Sequence, residues 1–289
     1  MISRIGIIGV GLIGGSVALG LRKAGMVGET IGYDLDSRNL AEALHLGIID
    51  SAAASLEAAA EGADLVLIAV PVGASMSVFR GLLPGWCDET IYTDVGSTKL
   101  SVIEALKSVF GSLPSNFVPG HPIAGAETSG AAAALSDLFQ ERRVILTPLP
   151  EASLKAVEVV RGLWQALGAK VSLMSAEHHD EVLAATSHLP HVLAFVLTEL
   201  LGRCDNDREL FSYAAGGLRD FTRIASSDPR MWRDICLSNR DQLLPLMERY
   251  RDALGAAAAL MRSGDAEGLT RLFSDAGSYR QRFMDQMEK

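Results

Sequence analysis

Gly9-Val10-Gly11-Leu12-Ile13-Gly14, set directly behind the apolar run 5–8, carries the Gly-x-Gly-x-x-Gly spacing of a dinucleotide-binding turn. The first glycine suits a tight strand-to-helix turn, the second close approach to a pyrophosphate, and the third close packing of helix on strand. The helix that opens there offers unpaired N–H groups and partial positive charge to phosphates. Three glycines at this spacing also occur in ordinary loops, so the neighbours decide. A strand-like run precedes the motif, a helical stretch (16–24) follows it, and Asp34 ends a second apolar run, 30–33. Asp34 lies 20 positions past Gly14, where a carboxylate accepts from a ribose hydroxyl. The expected cofactor-binding positions are Gly9, Gly11, Leu12, Ile13, Gly14, Asp34, Val70 and Ser97. A carboxylate at residue 34 repels a 2′-phosphate and favours NAD, although the nearby Arg38 is a residue that accommodates that phosphate.

Working outward, short β-like runs at 5–8, 30–33, 65–69, 91–93, 117–119, 144–147 and 171–173 alternate with helical stretches such as 40–46, 100–110 and 154–167. This alternation predicts a doubly wound, mostly parallel sheet of the Rossmann type with helices on both faces. Ligands in such sheets sit beyond the carboxyl ends of the strands, where strand order reverses. From residue 175 onward no strand pattern remains, only long helical runs at 177–201, 210–224, 232–261 and 265–287. We therefore expect an α/β domain over residues 1–174 and an all-α domain over 175–289. The apolar surface of the helices predicts a homodimer through the second domain. The alanine-rich stretches 51–63 and 131–135 read as helices or helix edges.

The whole chain sets limits. It has 289 residues, 48% apolar and 21% charged, an ordinary globular composition. A net charge of −9 argues against a nucleic-acid partner and makes any basic cluster in a pocket more notable. No uninterrupted apolar run reaches the roughly 18 residues of a membrane helix. The N-terminus runs straight into a strand, without a signal peptide. Three cysteines without Cys-x-x-Cys spacing predict neither a disulfide framework nor a zinc site, and so a reducing, cytoplasmic setting.

Three clusters look chemical. The first, Gly120-His121-Pro122-Ile123-Ala124-Gly125-Ala126-Glu127, follows the run 117–119 and places His121 at a strand's carboxyl end. The second, Asp94-Val95-Gly96-Ser97-Thr98-Lys99, offers Ser97 and Lys99 to the nicotinamide edge or substrate; Ser97 or Thr98 equally suits the N-cap of the next helix. The third comprises Ser187-His188-Leu189-Pro190-His191 and Gly216-Gly217-Leu218-Arg219-Asp220-Phe221-Thr222-Arg223. Pro190 inside a helical run predicts a kink and a freed carbonyl. His188 and His191, with His178, His179 and Asp180 upstream, match no standard metal-ligand spacing, so no metal is expected. Arg219 and Arg223 are either a surface ion-pair network with Asp220 and Glu127 or a carboxylate clamp.

Together these motifs resemble the prephenate and arogenate dehydrogenases of tyrosine biosynthesis, from Ile5 to about Tyr250. The resemblance implies a nucleotide-binding domain followed by a dimerising helical domain. It also implies oxidative decarboxylation of prephenate to 4-hydroxyphenylpyruvate, with carbon dioxide and NADH as products. Carried over by motif, His121 takes the proton of the substrate's ring hydroxyl, and Ser97 holds that hydroxyl and the nicotinamide. His191 and Arg223 bind carboxylates, Glu127 gates Arg223, and Ser187, Gly216 and Trp232 line the site, in part from the partner subunit.

The residue types suit that chemistry independently. Hydride loss turns the ring hydroxyl into a carbonyl, which needs a base, and a neutral imidazole serves near neutral pH. Arogenate carries an ammonium where prephenate carries a ketone, and Ser187 with its neighbours offers no acid to pair with it, which favours prephenate. An arogenate-selective or broad cyclohexadienyl dehydrogenase is the alternative. A 3-hydroxyisobutyrate-type enzyme generally relies on a lysine in its helical domain, and Lys289 is the sole lysine after Lys170. A non-catalytic NAD-binding module would not need His121, His191 and Arg223 together.

Overall fold

The computed structural model describes residues 1–125, 128–205 and 209–287. The chain opens as β1 (Ile2–Ile8), α1 (Leu12–Lys23), β2 (Val27–Tyr33), α2 (Ser37–His45), β3 (Ser51–Ala52), α3 (Leu56–Ala60) and β4 (Leu65–Ile68). It continues with α4 (Ser75–Leu82), β5 (Ile91–Asp94), α5 (Leu100–Phe110) and β6 (Phe117–Val118). The six strands are all parallel, in the order β3-β2-β1-β4-β5-β6. Strand order reverses between β1 and β4, so the crevice for a ligand lies at their carboxyl ends.

The strands read as continuous apolar runs because both faces are buried, and alternate side chains serve opposite faces. Ile5, Ile7, Leu65 and Leu67 join one core cluster with Val17 and Leu21 of α1. Ile8, Val66 and Ile68 join the other, with Phe79 of α4 and Leu106 of α5.

The expected single sheet divides at Pro119. A second sheet holds β7 (Gly120–Pro122), β8 (Arg143–Leu146) and β9 (Lys170–Leu173), with α6 (Leu154–Ala166) between the last two. β7 runs antiparallel to β8, and β8 parallel to β9. Proline has no N–H to continue a ladder, and β6 ends one residue before it. The stretch 51–63, expected as helix, instead begins with the edge strand β3 and turns helical only after Ser55, whose hydroxyl caps α3 at the Ala58 N–H.

The helical part is more broken than the sequence suggests. The run 177–201 is α7 (Ala176–Leu183), a π turn (Ala184–His188) and α8 (Leu189–Cys204). The run 210–224 is a 3₁₀ turn (Leu210–Tyr213), α9 (Gly216–Thr222) and the start of another 3₁₀ turn (Arg223–Ser226). The run 232–261 is α10 (Pro229–Ser238) and α11 (Arg240–Ser263), divided at Asn239, and α12 (Ala266–Met287) closes the chain.

Contacts group the chain into two compact units, Met1–Arg240 and Asp241–Lys289. The expected boundary at residue 174 falls inside the first unit, because α7 packs on α5 and α10 packs on the turn Val72–Ala74. The run Ala176–Cys204 is long and apolar enough to cross a membrane. In its first part His179, Asp180 and His188 are buried and hydrogen-bonded to the surrounding protein, whereas Val196 and Leu200 further along are exposed.

Candidate active site

The glycine turn fits a dinucleotide residue by residue. Gly9 has φ of +91°, and a Cβ there would lie 2.3 Å from the Ala69 carbonyl oxygen and 3.2 Å from Val70. A Cβ at Gly14 would lie 2.1 Å from the Gly9 oxygen, whereas one at Gly11 would meet nothing within 4 Å. The fold itself thus demands Gly9 and Gly14, and open space remains at Gly11, the N-cap of α1, which has no side-chain cap. That space beside a helix N-terminus suits a pyrophosphate. Leu12 and Ile13 form the first turn of α1.

Asp34 closes the turn from the next strand. Its Oδ2 accepts from the Val10 N–H and from Asn39 Nδ2, both at 3.0 Å, and its Oδ1 accepts from the Asp36 N–H at 2.9 Å. Asn39 also donates to the Val10 carbonyl and accepts from the Ala131 N–H, tying the turn to the loop opposite. Nothing in the sequence pattern singled out Asn39.

At the end of β5 a buried ion pair grips the backbone before His121. Lys99 Nζ donates to Asp94 Oδ2 at 2.5 Å and to the Gly120 carbonyl at 2.6 Å, while Asp94 Oδ1 accepts from the Gly120 N–H at 3.1 Å. Lys99 is fully buried, so it is a clamp on Gly120 rather than the substrate contact its position suggested. Burial pushes its pKa down, against the Asp94 and Asp180 charges. Ser97 stands half-buried on the same loop. The helix cap expected from Ser97 or Thr98 comes from elsewhere. Thr98 bonds Ser101 through their hydroxyls, and the Asp180 carboxylate of α7 accepts from the Lys99 and Leu100 N–H groups at 2.8 and 2.9 Å.

His121 lies in β7, opposite Ile145, and is 9% exposed. Its Nδ1 is 2.8 Å from His179 Nε2, and His179 Nδ1 is 2.7 Å from Asp180 Oδ1. Burial, helped by His179, Lys99 and His188, holds the His121 pKa well below the ordinary histidine value. A neutral, buried imidazole at the carboxyl edge of the sheet is suited to take a proton.

The Ser-His-Leu-Pro-His segment forms the adjoining wall. The π turn absorbs its irregularity, and Pro190 sits in the first turn of α8, where a missing N–H costs little. The carbonyl put to use is that of Ser187, which accepts from His191 Nδ1 at 2.8 Å. The His191 ring stacks on Trp232 of α10, centroids 3.7 Å apart and planes 18° from parallel. Trp232 is buried, and its indole N–H has no acceptor among the described residues. Burial lowers the His191 pKa and the Arg223 charge adds to this, against the Ser187 bond. His188, held by Asn239 Nδ2 at 3.0 Å, is lowered to about 4, chiefly by burial.

The structure thus links His121 through His188 to Trp232, on which His191 stacks within reach of the Arg223 charge, with Ser187 one turn from His191 and Ser97 on the loop after β5. Gly216 opens α9 on the exposed surface of the single chain, and Arg219 is exposed beside it. Glu127 lies outside the described residues. Sequence reading gave Asp94 and Asn239 no role of their own and weighed His179 and Asp180 only as metal ligands. A signal existed for two of them: Ala176, His179, Asp180 and Leu183 repeat at the spacing of one buried helix face.

Residues 17–173 match the nucleotide-binding domain of prephenate dehydrogenase, and residues 175–275 match its dimerization domain. The chain belongs to the prephenate dehydrogenase family. It is 39% identical over 279 residues to the cyclohexadienyl dehydrogenase of Zymomonas mobilis, covering 94% of this chain and 93% of that one. It is 40% identical over 276 residues to the prephenate dehydrogenase of Bacillus subtilis, covering 94% and 74%. The crystal structure of Aquifex aeolicus prephenate dehydrogenase with hydroxyphenyl propionate and NAD+ matches with a TM-score of 0.90 at 35% identity, covering 98% of this chain and 99% of that one. Membership of the prephenate dehydrogenase family makes the chain a nicotinamide-dependent oxidoreductase of aromatic amino acid biosynthesis.

Proposed function

We propose that the chain converts prephenate to 4-hydroxyphenylpyruvate and carbon dioxide with reduction of NAD, in tyrosine biosynthesis. The observation that carries this is His121, a buried imidazole held neutral by its burial, whose Nδ1 is engaged by His179, in a chain that also carries a glycine turn suited to a dinucleotide. His121 Nε2 takes the proton of the ring hydroxyl as that carbon loses its hydrogen, then returns it to the same oxygen once the ring carboxylate has left and the ring is aromatic. When bound, NAD supplies the hydride acceptor. Ser97 holds the hydroxyl in line, and His191 and Arg223 orient the carboxylates through charge-assisted hydrogen bonds, worth about 1.5–3 kcal/mol each. Ser187, Gly216 and Trp232 line the site, and Glu127 gates Arg223. Asp34 selects NAD over NADP.

Residues 1–174 then serve the cofactor and residues 175–289 the substrate and a homodimer contact. Exposed apolar side chains on the helices (Val196 and Leu200 on α8; Leu272, Tyr279 and Phe283 on α12) support that contact. Cys87, Cys204 and Cys236 are all free, which supports a cytoplasmic setting.

The likeness to a cyclohexadienyl dehydrogenase favours a second reading, in which arogenate is also accepted. The test follows NADH or NADPH absorbance with each of prephenate and arogenate. Turnover with NAD and prephenate is expected to dominate; comparable turnover with arogenate makes the enzyme broad, and silence in every pairing removes the activity. His121→Asn is expected to lower kcat by roughly 10²–10⁴-fold, the share of a general base. A near-normal kcat takes the base role from His121.

A further inference from the structure

Asp180, His179 and His121 form one hydrogen-bonded line, and its direction is dictated from one end. The Asp180 carboxylate accepts from the Lys99 and Leu100 N–H groups, so the N-terminus of α5 holds both of its oxygens in place. A carboxylate only accepts, so His179 carries its hydrogen on Nδ1 and donates to Asp180 Oδ1 at 2.7 Å. That leaves His179 Nε2 as an acceptor. His121 Nδ1, 2.8 Å away, must then be the donor, and the lone pair of His121 falls on Nε2.

We propose that His179 and Asp180 are positioning residues: together they set the nitrogen on which His121 takes its proton, and the Asp180 carboxylate, reached through His179, offsets the charge it then carries. The proposal rests on the reading of His121 as base. The charge needs offsetting because the groups facing His121 are otherwise unhelpful. Lys99, His179 and His188 each disfavour an imidazolium there, and the Asp94 charge is already paired with Lys99. Among the described residues the anion left to answer it is Asp180, reached through His179. A carboxylate serving only as a helix cap would need no imidazole between it and β7. His179 is fully buried, and both its ring nitrogens lie within hydrogen-bond distance of a partner. A third group orienting a base toward its proton is a recurrent solution in catalysis.

Ring nitrogen shifts in protein labelled with ¹⁵N-histidine, followed against pH, read the tautomer directly. The expected result is His121 protonated on Nδ1; protonation on Nε2 in the wild type overturns the proposal. In Asp180→Asn the amide cannot accept from two backbone N–H groups and His179 together without turning a donor on a donor. The line then loses its direction, with kcat expected to fall roughly 100-fold or more. The KM for prephenate and the affinity for NAD change little, and the acid limb of the kcat/KM profile moves to lower pH. Because this variant also loses the α5 cap, His179→Gln is made beside it; it keeps the carboxylate and breaks the line, and the same fall in kcat is expected. Wild-type kcat and pH profile in both variants, with His121→Asn inactive, overturn the positioning role and leave the base standing. A near-normal kcat in His121→Asn removes the base, and the positioning role with it.

Discussion

His191 presents the opposite nitrogen problem from His121. Its Nδ1–H donates to the Ser187 carbonyl, so the neutral ring turns an acceptor, Nε2, outward, and a substrate carboxylate needs a donor. Burial first, and then Arg223, keeps the free imidazole below the ordinary histidine pKa and so neutral at pH 7. Binding a carboxylate at His191 therefore draws in a proton. The expected outcome is a KM for prephenate that rises with pH, approaching about tenfold per unit for one linked proton, while kcat stays level. KM measured from about pH 6 to about pH 9, the range of histidine switching, checks it. His191→Asn is expected to flatten the slope, and a flat KM in the wild type would place the carboxylate on another group. At this scale the motifs located His121 and His191 but not their tautomers. Those follow from a carbonyl one helical turn away and from a carboxylate 59 positions along the chain.

At the scale of elements, the strands were legible wherever both faces are buried, since residues 5–8 and 65–68 are unbroken apolar runs feeding two cores. β3 and β7 were not. Ser51–Ala52 is too short to show a period, and Gly120-His121-Pro122 has no apolar pattern, its place being held by Asp94 and Lys99. The α5 cap was misassigned because its donor set is met from a different helix. The glycine turn allows a sharper test, because its three glycines do different things. In Gly14→Ala the new methyl meets the Gly9 backbone oxygen at 2.1 Å, backbone that cannot step aside. Overpacking of this kind costs typically about 1–3 kcal/mol, and a lowered Tm is expected. Gly11→Ala meets nothing, and its φ of −88° is open to alanine. Its Tm is expected to match the wild type while the Kd for NAD rises. Thermal melts and NAD titration of both variants check the contrast; equal loss of NAD binding without loss of stability in Gly14→Ala would deny it a packing role.

For the whole molecule, the buried histidines that serve the site make the fold sensitive to acid. His121, His179 and His188 all have pKa values below 6.5 in the folded chain, and burial is the largest cause in each. Take His188, lowered to about 4. Between 6.5 and about 4 the unfolded chain binds a proton at this residue that the folded chain refuses, so the unfolded state gains as pH falls. The contribution is fully present above the unfolded value. Over that window it amounts to about 3 kcal/mol lost, a large fraction of the roughly 5–15 kcal/mol that holds a typical domain together. Urea midpoints measured at fixed protein concentration from pH 7.5 downward are expected to fall steeply below about 6.5, with the m-value unchanged. His188→Gln removes one titrating group while an amide can still accept from Asn239, so its midpoint is expected to fall less steeply over the same range. A variant whose slope equals the wild type would show that the proton enters elsewhere and that His188 is not held neutral by its burial.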